Sequence, residues 1–169
     1  MGQHLEQWFA MRSKTSTNGH TRQKPGIDEL TGAWNHAGFV AAATPLLLSC
    51  QRRDAPVSLA FFEFRADAAV AADPATVDQV LLGMAELTRK AFRATDVVGR
   101  VDPLRFVVLL PDCTDDALNA IDGVRALTDA TAPQRLTLTA GMVSSTPDGS
   151  VEDLLHAAEV RARELDAAG

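Results

Sequence analysis

In VGRVDPLRFVVLLP, Val98 to Pro111, a break of Asp102, Pro103, Leu104 and Arg105 separates two apolar runs. Asp102 offers a carboxylate and Arg105 a fixed cation, so the tip carries groups that hold ions. Catalysis asks for more: a nucleophile with its base, a pair of acids, or carboxylates clustered around a metal. Two opposite charges supply none of these, and the residue types alone describe a surface turn. Pro103 lacks the amide hydrogen of a ladder, and Asp102 before it is biased toward extended backbone, so the chain turns at this pair. Cys50 and Cys113 have no His or Cys at metal-ligand spacing. They read as reduced, buried thiols of a cytoplasmic protein rather than as nucleophiles.

The chain that must position these groups has 169 residues, enough for one core and too few for two comfortable domains. Hydrophobic residues make up 46% of it, but many are alanine and no apolar run is long enough for a bilayer, so membrane insertion is not expected. The amino end has no secretion-signal pattern. Charge is uneven. Residues 1 to 27 hold Arg12, Lys14, Arg22 and Lys24 against Glu6, whereas residues 28 to 169 hold 12 basic and 21 acidic side chains. An acidic domain without a basic stripe is a poor nucleic-acid binder. The leader, residues 1–27, reads as a flexible arm whose start, HLEQWFAM, forms a short helix presenting Leu5, Trp8 and Phe9.

From residue 28 onward helices and strands alternate. Ile27 to about Arg53 reads as a helix capped near Asp28, with a break near Gly32 and an irregularity at Pro45. Val57 to Phe64 is a dense apolar run of strand length. Val77, Val80, Leu81, Met84, Leu87, Ala91 and Phe92 recur at three- and four-residue steps, as on a helix lying against a sheet. The hairpin of Val98 to Pro111 follows, then a helix from Asp115 to Thr128, a strand from Leu136 to Val143 and a helix from Val151 to about Leu165. Phe61, Val107, Leu109 and Leu138 are expected in the core.

This order, with several motifs, resembles the GGDEF domain of diguanylate cyclases, which joins two GTP molecules into cyclic di-GMP. The family's opening D-x-L-T-G-x-x-N is met by Asp28, Leu30, Thr31, Gly32 and Asn35 in DELTGAWN; its first metal strand resembles PVSLAFFEF, and its D-x-x-x-R resembles DVVGR. FVVLLP, LTLTAGM and the terminal Gly169 continue the pattern to residue 169. The resemblance implies an α/β fold, a single GGDEF-like domain over residues 28–169 with a central mixed, mainly antiparallel five-stranded sheet flanked by helices.

Cyclase chemistry then becomes a residue-by-residue expectation, since the enzyme must hold triphosphates with metal ions and orient a ribose hydroxyl. Aligned through Arg100 and Phe106, the signature G-G-D/E-E-F resembles DPLRF: Asp102 and Pro103 stand for the glycines, Leu104 for the metal-binding acid and Arg105 for the next acid. Glu63 keeps the first metal carboxylate, but Arg65 falls at the second acid. Ala71 falls at the base-reading asparagine, and Asp78 at a later aspartate. Asp166 replaces the lysine that contacts phosphate. The expectation is a degenerate, catalytically inactive domain that is no enzyme, with no catalytic residue, metal or cofactor.

One motif survives. The family's inhibitory site binds cyclic di-GMP through R-x-x-D five residues before the signature, and RATD, Arg93 to Asp96, resembles it at that offset. The guanidinium of Arg93 presents a planar fork to phosphate or a guanine edge, and Asp96 accepts from guanine nitrogens. The plainer reading is that Arg93 ends a helix and Asp96 caps the turn into the next strand. Arg100 and Arg125 are candidate helpers, with Val124 or Gly123 at the position of the family's further arginine. Three functional classes follow: an inactive signalling module acting through protein contacts, including a dimer; a cyclic di-GMP receptor; and an active cyclase, which the substitutions oppose.

Overall fold

The computed structural model describes residues 26–67, 73–113, 116–131, 136–145 and 149–168. Residues 1–25 of the expected leader, Ala71 and Gly169 lie outside them. Eight elements alternate along the described chain: α1 His36–Arg53, β1 Val57–Ala66, α2 Pro74–Ala91, β2 Val97–Asp102, β3 Arg105–Pro111, α3 Asp116–Thr131, β4 Leu136–Ser145 and α4 Val151–Ala168.

Among the described residues the sheet has four strands in the order β2-β3-β1-β4, and every neighbouring pair is antiparallel. This corrects the expectation of a mixed five-stranded sheet. The apolar runs in the sequence account for four strands, and the fifth rested on the resemblance alone. Along β2, Trp34 forms a single parallel bridge to Gly99, donating its amide to the carbonyl of Val98 and accepting from the amide of Arg100. A one-residue bridge does not make a strand.

Side-chain alternation along β1 divides the core into two layers. Val57, Leu59 and Phe61 pack with α1 and α4 residues such as Phe39, Leu47, Leu154 and Ala158. Ala60, Phe62 and Phe64 face α2 and α3 with Leu81, Met84, Ile121 and Val124. Phe61, Val107 and Leu109 are buried as expected, and Leu138 is partly buried against the second layer. Two edge-on or tilted ring pairs, Phe62 with Phe92 and Phe64 with Phe106, each at 5.9 Å, hold that layer together.

The start of α1 also differs from expectation. Asp28 does not cap the helix: its Oδ1 accepts from the Thr31 amide at 2.9 Å and the Thr31 hydroxyl at 2.6 Å, closing a separate turn. Gly32 carries that turn at φ +69, a region that favours glycine. The helix begins instead after Asn35, whose Oδ1 accepts from the Gly38 amide at 2.9 Å, and it continues through Pro45.

Candidate ligand-binding site

Asp96 sits in the short link between α2 and β2. Its Oδ2 accepts from the backbone amide of Arg93 at 2.8 Å, while its own amide donates to the Arg93 carbonyl at 3.0 Å. These reciprocal bonds close the turn and fix where both side chains leave the backbone. Arg93 and Asp96 line one cavity of about 300 Å³. Its apolar wall comes from Ala91 and Phe92 at the end of α2 and Leu110 at the end of β3, with Cys113 beside them and Asn119 of α3 at the rim. Burial pushes the carboxyl of Asp96 above its ordinary range, against the opposing pull of the Arg93 amide and charge. A carboxylate short of solvent gains more than an exposed one from a ligand that brings N–H donors.

Arg100 does not line this cavity. Its Nη1 donates to both oxygens of Asp28 at 3.0 Å, and its Nε and Nη2 donate to the Pro103 carbonyl at 3.1 and 2.9 Å. The arginine side chain is 9% exposed, so the ion pair is a lock between the Asp28 turn and the hairpin tip. Val124 is fully buried and Arg125 is exposed on α3. Neither lines the cavity.

The other sequence-identified residues gather at the opposite end of β1. Pro103 and Leu104 make the turn between β2 and β3, and the Leu104 carbonyl accepts from the Phe64 amide at 2.9 Å. Leu104 packs against the core. Arg105, directly across from Glu63 in the ladder, donates to its Oε1 at 2.9 Å and contacts Asp102 and Glu159, each at 3.2 Å. Arg65 reaches Asp166 at 2.8 Å, which also accepts from the Thr139 hydroxyl at 3.0 Å. The Arg65 hydrogen bond, followed by that of Thr139, holds the Asp166 carboxyl below its ordinary range. Asp78 is partly buried on α2. Among the described residues no three His, Cys, Asp or Glu side chains gather where they would hold a metal ion; Glu63 faces arginines instead.

The sequence reading missed Asn119, Leu110 and Cys113 as wall residues of the Arg93 cavity. Leu110 and Cys113 signalled only core, and no local motif marks Asn119; the packing of α3 against α2 brings it in.

Comparison with known proteins fits this geometry. Residues 26–169 match the family described as diguanylate cyclase, GGDEF domain. No curated protein matches. Among solved structures, the GGDEF domain of DgcB from Caulobacter crescentus in complex with c-di-GMP superposes with TM-score 0.79 at 15% identity, covering 89% of this chain and 95% of that one. The FimX GGDEF domain from Pseudomonas aeruginosa gives 0.73 at 19% identity, covering 85% and 95%. Diguanylate cyclase SiaD from the same organism, in complex with its activator SiaC, gives 0.78 at 18% identity, covering 97% and 66%. At these identities the superpositions establish the fold.

The family match overturns the expectation of a degenerate, catalytically inactive module that is no enzyme. That inference let a handful of substituted positions, Leu104 and Arg105 at the hairpin with Arg65, Ala71 and Asp166 elsewhere, decide the class of the whole chain. The family model matches over residues 26–169, and the family is one of cyclases.

Proposed function

The chain belongs to the GGDEF family of diguanylate cyclases, and from that premise we propose that it is a cyclic di-GMP receptor that takes the ligand through Arg93 and Asp96. The observation that carries this reading is the convergence of the two side chains in one cavity with an aromatic and aliphatic wall. A guanidinium fork suits a phosphate or a purine edge, a poorly solvated carboxylate suits the N–H donors of guanine, and an apolar wall suits the base itself. The structure of DgcB with c-di-GMP supports the choice of ligand.

The reading takes residues 28–169 as the receptor domain and residues 1–27 as an arm for a protein partner or a second copy, supported by a family match that begins at residue 26 and by the SiaD complex with its activator. It places the protein in the cytoplasm, where the free cysteines Cys50 and Cys113 stay reduced. No helix among the described residues is long and apolar enough to cross a membrane.

Calorimetric titration of the intact chain with cyclic di-GMP tests the proposal. Saturable binding is expected, and Arg93→Ala raises the dissociation constant roughly tenfold or more, about 1.4 kcal/mol. Asp96→Asn keeps an acceptor for the Arg93 amide and still weakens binding, because it removes the charge that guanine donors meet. Absence of any binding signal up to about 100 μM ligand, a weaker affinity than about −5.5 kcal/mol, removes the receptor reading.

A further inference from the structure

We propose that the outer face of α1 is the seat of the chain's own amino-terminal arm, with Leu5, Trp8 and Phe9 laid against Ala41, Pro45 and Leu48. This rests on the reading of residues 1–27 as an arm and extends it to where that arm lies when no partner holds it. Of the four helices described, α1 alone has no Asp, Glu, Lys or Arg before its last turn, at Arg52. Phe39, Ala43, Leu47 and Cys50 are buried with the β1 and β3 residues of one core layer. Ala37, Ala41, Pro45 and Leu48 follow one another at three- and four-residue steps on the opposite side and are exposed, Leu48 by 45%. A surface helix ordinarily turns charge to water on that side, and a helix that is apolar all round is one that something covers.

The arm joins the domain on this same helix. The Gly26 carbonyl accepts from the Asn35 amide at 2.9 Å, and it lies so close to Gly38 that a Cβ there would run into it. The exit of the arm is thus fixed on the first turn of α1. From Gly38 to Leu48 the helix rises about 15 Å, while the stretch from Trp8 to Gly26 spans about 23 Å as a coil. A tether matched to its span holds the arm at an effective concentration on the order of millimolar, so an affinity as weak as about 0.1 mM keeps it docked about nine-tenths of the time. A second copy at micromolar concentration has no such advantage. Leu5, Trp8 and Phe9 share one helical side by their spacing, and their large apolar area meets a stripe with no charge to desolvate. The basic arm and the acidic domain also attract one another.

Trypsin digestion of the intact chain tests the seat, read as the rate of cleavage after Arg12 and Lys14, next to the docked residues. With fast exchange the rate follows the open population, so the wild type is cut about tenfold more slowly than Leu48→Glu or Ala41→Glu, which put a charge into the stripe. Both positions are exposed, and unchanged circular dichroism confirms that these variants fold. Trp8→Ala changes nothing on α1 and is expected to release the arm to the same degree. Protection is expected to be independent of protein concentration. Protection lost on dilution gives the face to a second copy and overturns the proposal. Equal rates in the wild type and all three variants overturn it as well: fast cleavage throughout leaves the arm reading standing, and resistance throughout removes that reading too.

Discussion

Arg100 and Asp28 show how one residue's meaning depends on a partner 72 positions away. The sequence offered Arg100 as a helper at the ligand and Asp28 as a helix cap; folded, the two form an ion pair. Removing the arginine strands a half-buried carboxylate, so Arg100→Ala is expected to cost about 3 kcal/mol in urea unfolding at pH 7. Burial alone pushes the Asp28 carboxyl up, but the Thr31 hydroxyl, the Arg100 charge and the Thr31 amide together bring it below its ordinary value. A carboxylate with a lowered folded pKa stabilises the protein above its unfolded pKa, and that contribution fades as pH falls through the folded value. Wild-type stability is therefore expected to drop from about pH 5 downward through the carboxylate range, with a smaller slope in Asp28→Asn. Arg93 and Asp96 were legible because their spacing is local. Arg65 and Asp166 read as two separate departures from the family's pattern, yet they form one ion pair between β1 and α4, a relation that no short motif encodes.

At the scale of elements, the four strand runs and three of the helices were readable from composition and period, because each buries a continuous face. The start of α1 was not, since Asp28 and Asn35 are both good caps and the Asp28–Thr31 turn, with Gly32 at positive φ and Arg100 on the same carboxylate, takes Asp28 out of the choice. The close seat of α4 on β4 was equally hidden. A methyl group built on Gly141 would run into the backbone of Ala158 and Ala162, so the helix lies directly on the strand. Gly141→Ala is expected to push α4 off the sheet and destabilise the domain by about 2 kcal/mol or more, measured by denaturant unfolding. Gly83→Ala is the control: a methyl group there meets nothing within 4 Å, and helix propensity makes it neutral to stabilising by up to about 1 kcal/mol.

For the whole molecule, the Arg93 cavity draws its walls from the end of α2, the link to β2, the end of β3 and α3. A ligand that occupies it engages both sides of the hairpin's base and a helix packed over it, and it binds only the folded chain. Thermal unfolding is therefore expected to shift upward with cyclic di-GMP, by the equivalent of about 2.7 kcal/mol at a hundredfold excess over the dissociation constant. In Arg93→Ala the shift shrinks in proportion to the lost affinity. The cavity's existence was not legible in the sequence for the same reason: it belongs to no single segment.

The central place of β1 has a consequence for how the chain is made. Phe61 pairs with Val107 on one side and Gly141 on the other, so this apolar strand leaves the ribosome long before either neighbour exists. At roughly 5–20 residues per second it waits several seconds with both edges open. During that interval VSLAFFEF is the segment of the nascent chain most prone to pair with another molecule. A chaperone that shields extended apolar peptides has its natural target there, and synthesis of β4 ends the need for it.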